Sequence, residues 1–218
     1  MDSRPVFNCR FIEPQHTERY LWGHIISVCE ALHVHRIVDI GCGNGALCRE
    51  LAGHGYEVVG CEPSAESFHF AQLAAPGLIF YQLGVDDDPS LIGNENFDVA
   101  IATEVVEHLM RPFNLPRFAK QLLRPGGHLI ISTPYHGYLK NLILALTDRW
   151  DVHLNPFWDG GHIKFWSYKT VSQLLNESGF RVVRFIGAGR LRFLWKSMIV
   201  VAQKPGASEQ LINGDSPG

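Results

Sequence analysis

Glu104, Glu107 and His108, within Thr103-Glu-Val-Val-Glu-His-Leu109, are spaced i, i+3 and i+4. On a helix that spacing gathers two carboxylates and an imidazole on one face. Turned into a cleft, such a face can take a proton from a phenol or hold a divalent cation that lowers the phenol's pKa. Upstream, Arg36-Ile-Val-Asp-Ile-Gly-Cys-Gly-Asn-Gly45 runs a β-branched apolar segment into three glycines and then into Ala46–Leu51, of helical composition. Bare backbone at Gly41, Gly43 and Gly45 can approach a ligand closely, and the free N–H groups of the helix start point toward it. Asp39 precedes the first glycine by two residues, and Glu62 ends a second apolar run, Glu57–Cys61. The glycines read G-x-G-x-G rather than the dinucleotide pattern G-x-G-x-x-G, and a carboxylate at Asp39 repels a pyrophosphate. A ligand offering a cation or amine donors suits the pair better. Glu62 stands at roughly the twenty-residue offset where an acid takes ribose hydroxyls.

The surrounding pattern supplies the elements that position these groups. Apolar runs at Ile37–Ile40, Val58–Cys61, Leu78–Gln82 and Phe97–Ala102 read as strands, alternating with helices at Ala46–His54 and Ala65–Leu73. Such alternation predicts a parallel sheet with right-handed crossovers, helices on both faces and ligands beyond the carboxyl ends of the strands. A leading helix spans Thr17–Leu32, with Thr17 as its cap, and another spans Arg117–Leu123. His128–Pro134 forms a fifth strand after Arg124-Pro-Gly-Gly127. Ser167 caps a helix through Ser178 that Gly179 stops. Phe180–Ile186 and Ser197–Gln203 close the sheet. The expected fold is therefore α/β, doubly wound, with seven strands, mostly parallel, the last antiparallel. A single domain covers residues 16–204, behind a loose arm at 1–15 and ahead of a disordered polar tail at 205–218.

Composition bounds the function. Of 218 residues, 46% are hydrophobic and 19% charged, ordinary for a chain with a real core. A net charge of -3 gives no general pull toward nucleic acid or anionic lipid. Five cysteines without a CxxC pair read as reduced core thiols. No apolar run approaches the eighteen or so residues of a membrane span, and the N-terminus has no signal-like core, so the cytoplasm is the expectation. Leu139–Leu146 has helical apolar spacing but is too short to cross a bilayer.

Val38-Asp-Ile-Gly-Cys-Gly-Asn-Gly45 resembles motif I of the class I S-adenosylmethionine-dependent methyltransferases, and Glu62 resembles their ribose-binding acid. The Glu-x-x-Glu-His segment, Ser132-Thr133 and Gly160-Gly161-His162 resemble motifs of the ubiquinone-biosynthesis O-methyltransferase group. The resemblance implies a Rossmann-like methyltransferase fold and S-adenosyl-L-methionine as cofactor. It would be held by Asp39, Gly41, Cys42, Gly43, Glu62, Pro63, Asp86 and Thr103, with Asp86 on the adenine amino group. It also implies that the aromatic stretch 135–166 folds over the active site as a lid, with Glu104, Tyr135, His136 and Trp158 against the acceptor. Methyl transfer to a phenol needs a base, and His162 or His108, supported by Glu107, fills that role, His162 being preferred for its place in the lid. No metal is assigned. The acceptor implied is a small aromatic or isoprenoid-like molecule methylated at oxygen by a monomer or homodimer. Rival readings are an N-methyltransferase on protein or tRNA and a non-catalytic cofactor-binding subunit. A nicotinamide dehydrogenase stands behind both.

Overall fold

A computed structural model describes residues 19–93, 96–154, 157 and 161–207. The arm, Thr17, Trp158, Gly160 and the tail beyond residue 207 lie outside them. Seven strands, β1 (Arg36–Ile40), β2 (Glu57–Cys61), β3 (Ile79–Tyr81), β4 (Phe97–Thr103), β5 (Leu123–Pro134), β6 (Arg181–Ala188) and β7 (Ser197–Gln203), form one sheet in the order 3-2-1-4-5-7-6. The first five run parallel, and β7 inserts antiparallel between β5 and β6. The order reverses beside β1, so β1 and β4 flank the crevice where a ligand sits in such sheets.

Alternation along the buried strands sends successive side chains to opposite helical layers. Val38, Ile40, Ala100, Ala102, Leu129 and Ile131 pack toward α4 (Asn114–Leu122) and α7 (Tyr168–Glu177). Ile37, Val99, Ile101 and Ile130 pack toward α1 (Arg19–Ala31), α2 (Ala46–Gly53) and α3 (Ala65–Ala74). Each fully buried Val or Ile contributes roughly 1.5–3 kcal/mol. Asp98, at the start of β4, accepts from the His35 and Arg36 N–H groups (2.8 and 2.9 Å) and pairs with Arg124 (2.6 Å), tying β1, β4 and β5 together at one end. The expected cap of α7 is present. Ser167 accepts from the Thr170 N–H, Thr170 answers to the Ser167 N–H, and Gly179 follows at φ 77°. The stretch after β5 adds two further helices, α5 (Tyr138–Leu146) and α6 (Trp150–Leu154). Among the described residues, no helix is long and apolar enough to cross a membrane. Cys29, Cys42, Cys48 and Cys61 are buried free thiols, as the cysteine pattern suggests.

Candidate active site

The glycine loop leaves β1 under tight constraint. Gly41, Gly43 and Gly45 all take positive φ (76°, 54° and 71°). The N–H groups of Gly41 and Cys42 both donate to the Cys61 carbonyl (2.8 and 3.0 Å), which pins the loop against the end of β2. A Cβ on Gly41 would stand 2.7 Å from a methyl of Val105, and one on Gly45 would stand 2.9 Å from the Phe80 ring. Gly41→Ala is therefore expected to lower stability by about 1–3 kcal/mol from backbone strain alone. Urea denaturation checks this. The added clash should be partly relieved in the Gly41→Ala/Val105→Ala double variant, and additive losses would contradict that contact.

Glu62 locks the loop to β2 from the other side. Its Oε2 accepts from the Gly43 N–H and its Oε1 from the Ser64 N–H, each at 2.9 Å. Burial pushes its pKa up to about 7, against the pull of those two bonds. Each carboxylate oxygen has further acceptor capacity, which suits a diol. Pro63 beside it is exposed and meets the loop after β3 at Gly84. In that loop the structure places Asp86 on the outside, accepting from Asn114 Nδ2 of α4 (2.5 Å). Asp87 instead turns back to accept the Gly84 N–H (2.8 Å). Asp39 follows Ile37 onto the α2 side of the sheet, where it is buried and accepts the Cys48 thiol (3.3 Å). Thr103 ends β4 with its hydroxyl buried and without a hydrogen bond among the described residues. A bound polar group would satisfy it. Glycines without room for a Cβ, a buried carboxylate with acceptor capacity left and this hydroxyl fit the adenosyl and amino-acid parts of S-adenosylmethionine.

The segment after β4 departs from the helical expectation. Glu104 sits at φ 53°, in the left-handed region just past the end of β4, with its N–H donating to the Ser132 carbonyl (3.1 Å), so the chain turns out of the sheet there instead of starting a helix. Only a single 3₁₀ turn, Val106–His108, follows. The two glutamates consequently do not share a face. Ser132 and Thr133, adjacent on β5, point to opposite layers, and each binds one of them. On the α1 side, Glu104 accepts from the hydroxyls of Ser132 (2.9 Å) and Ser197 (3.2 Å), and Tyr20 of α1 donates to Ser197 (2.6 Å). On the other side, Glu107 is buried and accepts from the Thr133 hydroxyl (3.0 Å).

The segment before α7 returns to this second glutamate. The N–H groups of Ile163 and Lys164 donate to the Glu107 carbonyl (3.0 and 3.1 Å), which sets His162 Nε2 3.9 Å from Glu107 Oε1. The His108 ring meets His162 edge-on, centroids 4.9 Å apart, with its Nδ1 3.3 Å from the Gly161 carbonyl. Burial, then the neighbouring imidazoles, lowers His162 to about 4 and leaves it neutral, able to accept a proton, at pH 7. Ligand atoms of Glu107, His108 and His162 lie within 4.8 Å of one another, close enough to share a divalent cation. His136 is buried beside them in the lid, its ring 5.4 Å from His153 and 5.1 Å from Phe165. Tyr135 departs from its expected place. Its ring joins Trp195, Phe185 and Tyr168 in an aromatic row on the β6–β7 side. Sequence reasoning missed Tyr20, Ser197 and Val105, whose contacts with the site are distant in the chain.

The family described as a methyltransferase domain matches residues 15–184. The chain belongs to that family. S-adenosyl-L-methionine is accordingly the cofactor of this methyltransferase domain, in agreement with the loop's geometry. Over 151 residues (62% of this chain) the domain is 32% identical to a ubiquinone biosynthesis O-methyltransferase of Azorhizobium caulinodans, covering 59% of that protein. Over 182 residues (82% of this chain) it is 26% identical to a tRNA U34 carboxymethyltransferase of Hahella chejuensis, covering 54% of it. The chain thus spans little more than half the length of these curated relatives. The fold matches that of magnesium protoporphyrin IX methyltransferase from Synechocystis PCC 6803, with S-adenosylhomocysteine bound. The TM-score is 0.64 at 17% identity, over 88% of this chain and 89% of that one.

Proposed function

We propose that the protein transfers a methyl group from S-adenosylmethionine to the oxygen of a small aromatic or isoprenoid-like acceptor. The observation that carries this reading is the neutral His162 held against the buried Glu107 at the carboxyl end of the parallel sheet, in the turn that follows β4. The cofactor supplies an electrophilic methyl on a sulfonium. Gly41, Cys42 and Gly43 would approach its methionine portion, Glu62 its ribose hydroxyls, and Asp86, in the loop whose Gly84 meets Pro63, its adenine amino group. His162 would take the phenolic proton as the acceptor oxygen forms its bond to carbon. Glu107, at 3.9 Å, would stabilise the imidazolium so formed. His108 packs on the same ring and serves as the alternate acceptor of that proton. Glu104 and His136 would line the acceptor's space under the lid. Trp158, for which the same place is expected, lies outside the described residues.

The 32% identity to a ubiquinone biosynthesis O-methyltransferase supports a phenolic acceptor. A second reading, modification of tRNA, draws on the 26% identity to the tRNA U34 carboxymethyltransferase, while the net charge of -3 speaks against a general affinity for RNA. Release of S-adenosylhomocysteine on adding simple phenols and catechols, with none on adding tRNA, is the expected outcome. Release with tRNA alone, accompanied by salt-dependent RNA affinity, would replace the first reading by the second.

With proton removal assigned to His162, turnover should be unchanged after chelation with EDTA and dialysis. A rate lost on chelation and restored by magnesium would instead give Glu107, His108 and His162 the role of cation ligands.

A further inference from the structure

The ammonium of Lys140 lies against the backbone of a second lysine, Lys196. Lys140 stands half-buried on the inward face of α5, and its Nζ donates to the Lys196 carbonyl at 3.4 Å. Asn141 shares that face and donates to the His136 carbonyl (3.5 Å). Leu139, Leu142, Ile143 and Leu146 are exposed. A surface helix normally turns its apolar stripe inward and its charges to water. This one turns Lys140 and Asn141, together with Leu144, to its half-buried side and leaves those four apolar side chains exposed, so apolar packing alone does not account for its orientation.

Lys140 lies close enough to Glu104, Lys196 and His136 for their charges to interact. Glu104 already accepts the Ser132 and Ser197 hydroxyls. Among the described residues, no carboxylate forms an ion pair with either lysine. Lys196 itself is exposed, with its Nζ 5.1 Å above the Tyr20 ring. An ammonium carries three donors, and a single carbonyl at the long limit of a hydrogen bond leaves Lys140 with capacity for a stronger acceptor. Burial lowers Lys140 to about 8, so it is still largely charged at pH 7, while His136 is held neutral near 4. Asn141, next to Lys140 on α5, reaches the His136 backbone, and the His136 ring lies 5.4 Å from that of His153, so the lysine belongs to the helix that borders these histidines.

Resting on the methyl-transfer reading, we propose that Lys140, backed by Lys196, binds an anionic group of the acceptor, a carboxylate or a phosphate ester. The acceptor is then an acid, lying with its hydroxyl at His162 and its anion at Lys140. The geometry makes Lys140 a specificity-determining residue with no part in the proton transfer.

The test is calorimetry on the full chain in the presence of S-adenosylhomocysteine, titrating benzoate, phenyl phosphate and the neutral control benzyl alcohol. At least one anion should bind the wild type about tenfold or more tightly than Lys140→Met, the effect of losing one charge-assisted hydrogen bond. Lys140→Arg should retain most of that affinity, Lys196→Met should weaken it less, and benzyl alcohol should not distinguish the variants. Which anion wins separates carboxylate from phosphate acceptors. Neither anion binding better than benzyl alcohol, or a folded Lys140→Met binding both as well as wild type, would overturn the proposal. If Lys140→Met does not fold, Lys196→Met and the salt dependence of anion binding decide by the same signs. Binding is read without turnover. Anion binding without methylation of any phenol would therefore refute the proposed reaction alone, and methylation without anion binding would refute this inference alone.

Discussion

Glu62→Ala is expected to weaken S-adenosylhomocysteine binding by about a hundredfold or more. Two hydrogen bonds from ribose hydroxyls to a carboxylate are worth roughly 1.5–3 kcal/mol each, and every 1.4 kcal/mol is about tenfold in Kd. The same side chain holds the N–H groups of Gly43 and Ser64, so its loss also releases the loop that approaches the ligand. Glu62→Gln keeps one of the two backbone bonds and turns an amide nitrogen toward the other N–H, so its affinity should fall between wild type and Glu62→Ala. Calorimetry checks both variants, and wild-type affinity in Glu62→Ala would remove this residue from the site. The pH dependence has a definite sign. Burial holds the carboxylic acid near 7, and only the ionised form can accept from both hydroxyls. Affinity should therefore fall as pH drops from about 7.5 to about 5.5, steepening toward tenfold per unit, whereas a group at the ordinary glutamate value would leave it flat there.

His162→Ala should lower kcat by about 10²–10⁴-fold with little change in cofactor affinity, the usual contribution of a positioned general base. The deficit should shrink as pH climbs toward the phenol's own pKa near 10, because a preformed phenolate needs no base. That convergence distinguishes proton removal from a structural role, for which the deficit would be independent of pH. Glu107→Gln should show a smaller loss of the same shape, because it acts through His162. Histidine 162 also stands in the lid stretch held to Glu107 by the Ile163 and Lys164 N–H groups. The thermal stability of each variant should therefore be compared alongside its rate.

The glycine loop was legible in the sequence because it is local. Ile37 to Gly45 fixes a buried strand, a positive-φ loop and a helix start through residues next to one another, and Glu62 follows at the end of the neighbouring strand. The sheet was legible for the same reason, with each apolar run bounded by glycine or polar residues. Glu104 defeated the reading, because the i, i+3, i+4 spacing is a local signal that a tertiary one overrides. Its N–H is taken by the Ser132 carbonyl and its backbone turns left-handed at φ 53°, which no helical start can accommodate. Once Glu104 is placed so, alternation on β5 puts Ser132 and Thr133 on opposite layers and parts the two acids. Lys140 and Ser197 carried no signal at all, since their significance arises only when α5 comes against Lys196 and the start of β7 reaches Glu104. For Tyr135 the family resemblance implies a place in an aromatic lid. It packs instead with Trp195, a contact sixty residues away that no local pattern encodes.

The proposed reaction is tested most directly with S-adenosylmethionine carrying a trideuterated methyl group, incubated with the full chain and an ortho-dihydroxybenzoate, with the product mapped by fragmentation mass spectrometry. The expected product carries the labelled methyl on a ring oxygen, forms one-for-one with S-adenosylhomocysteine, and is nearly lost at neutral pH in His162→Ala. Firm S-adenosylhomocysteine binding with no label on any phenolic oxygen, or label recovered only on tRNA, would contradict it.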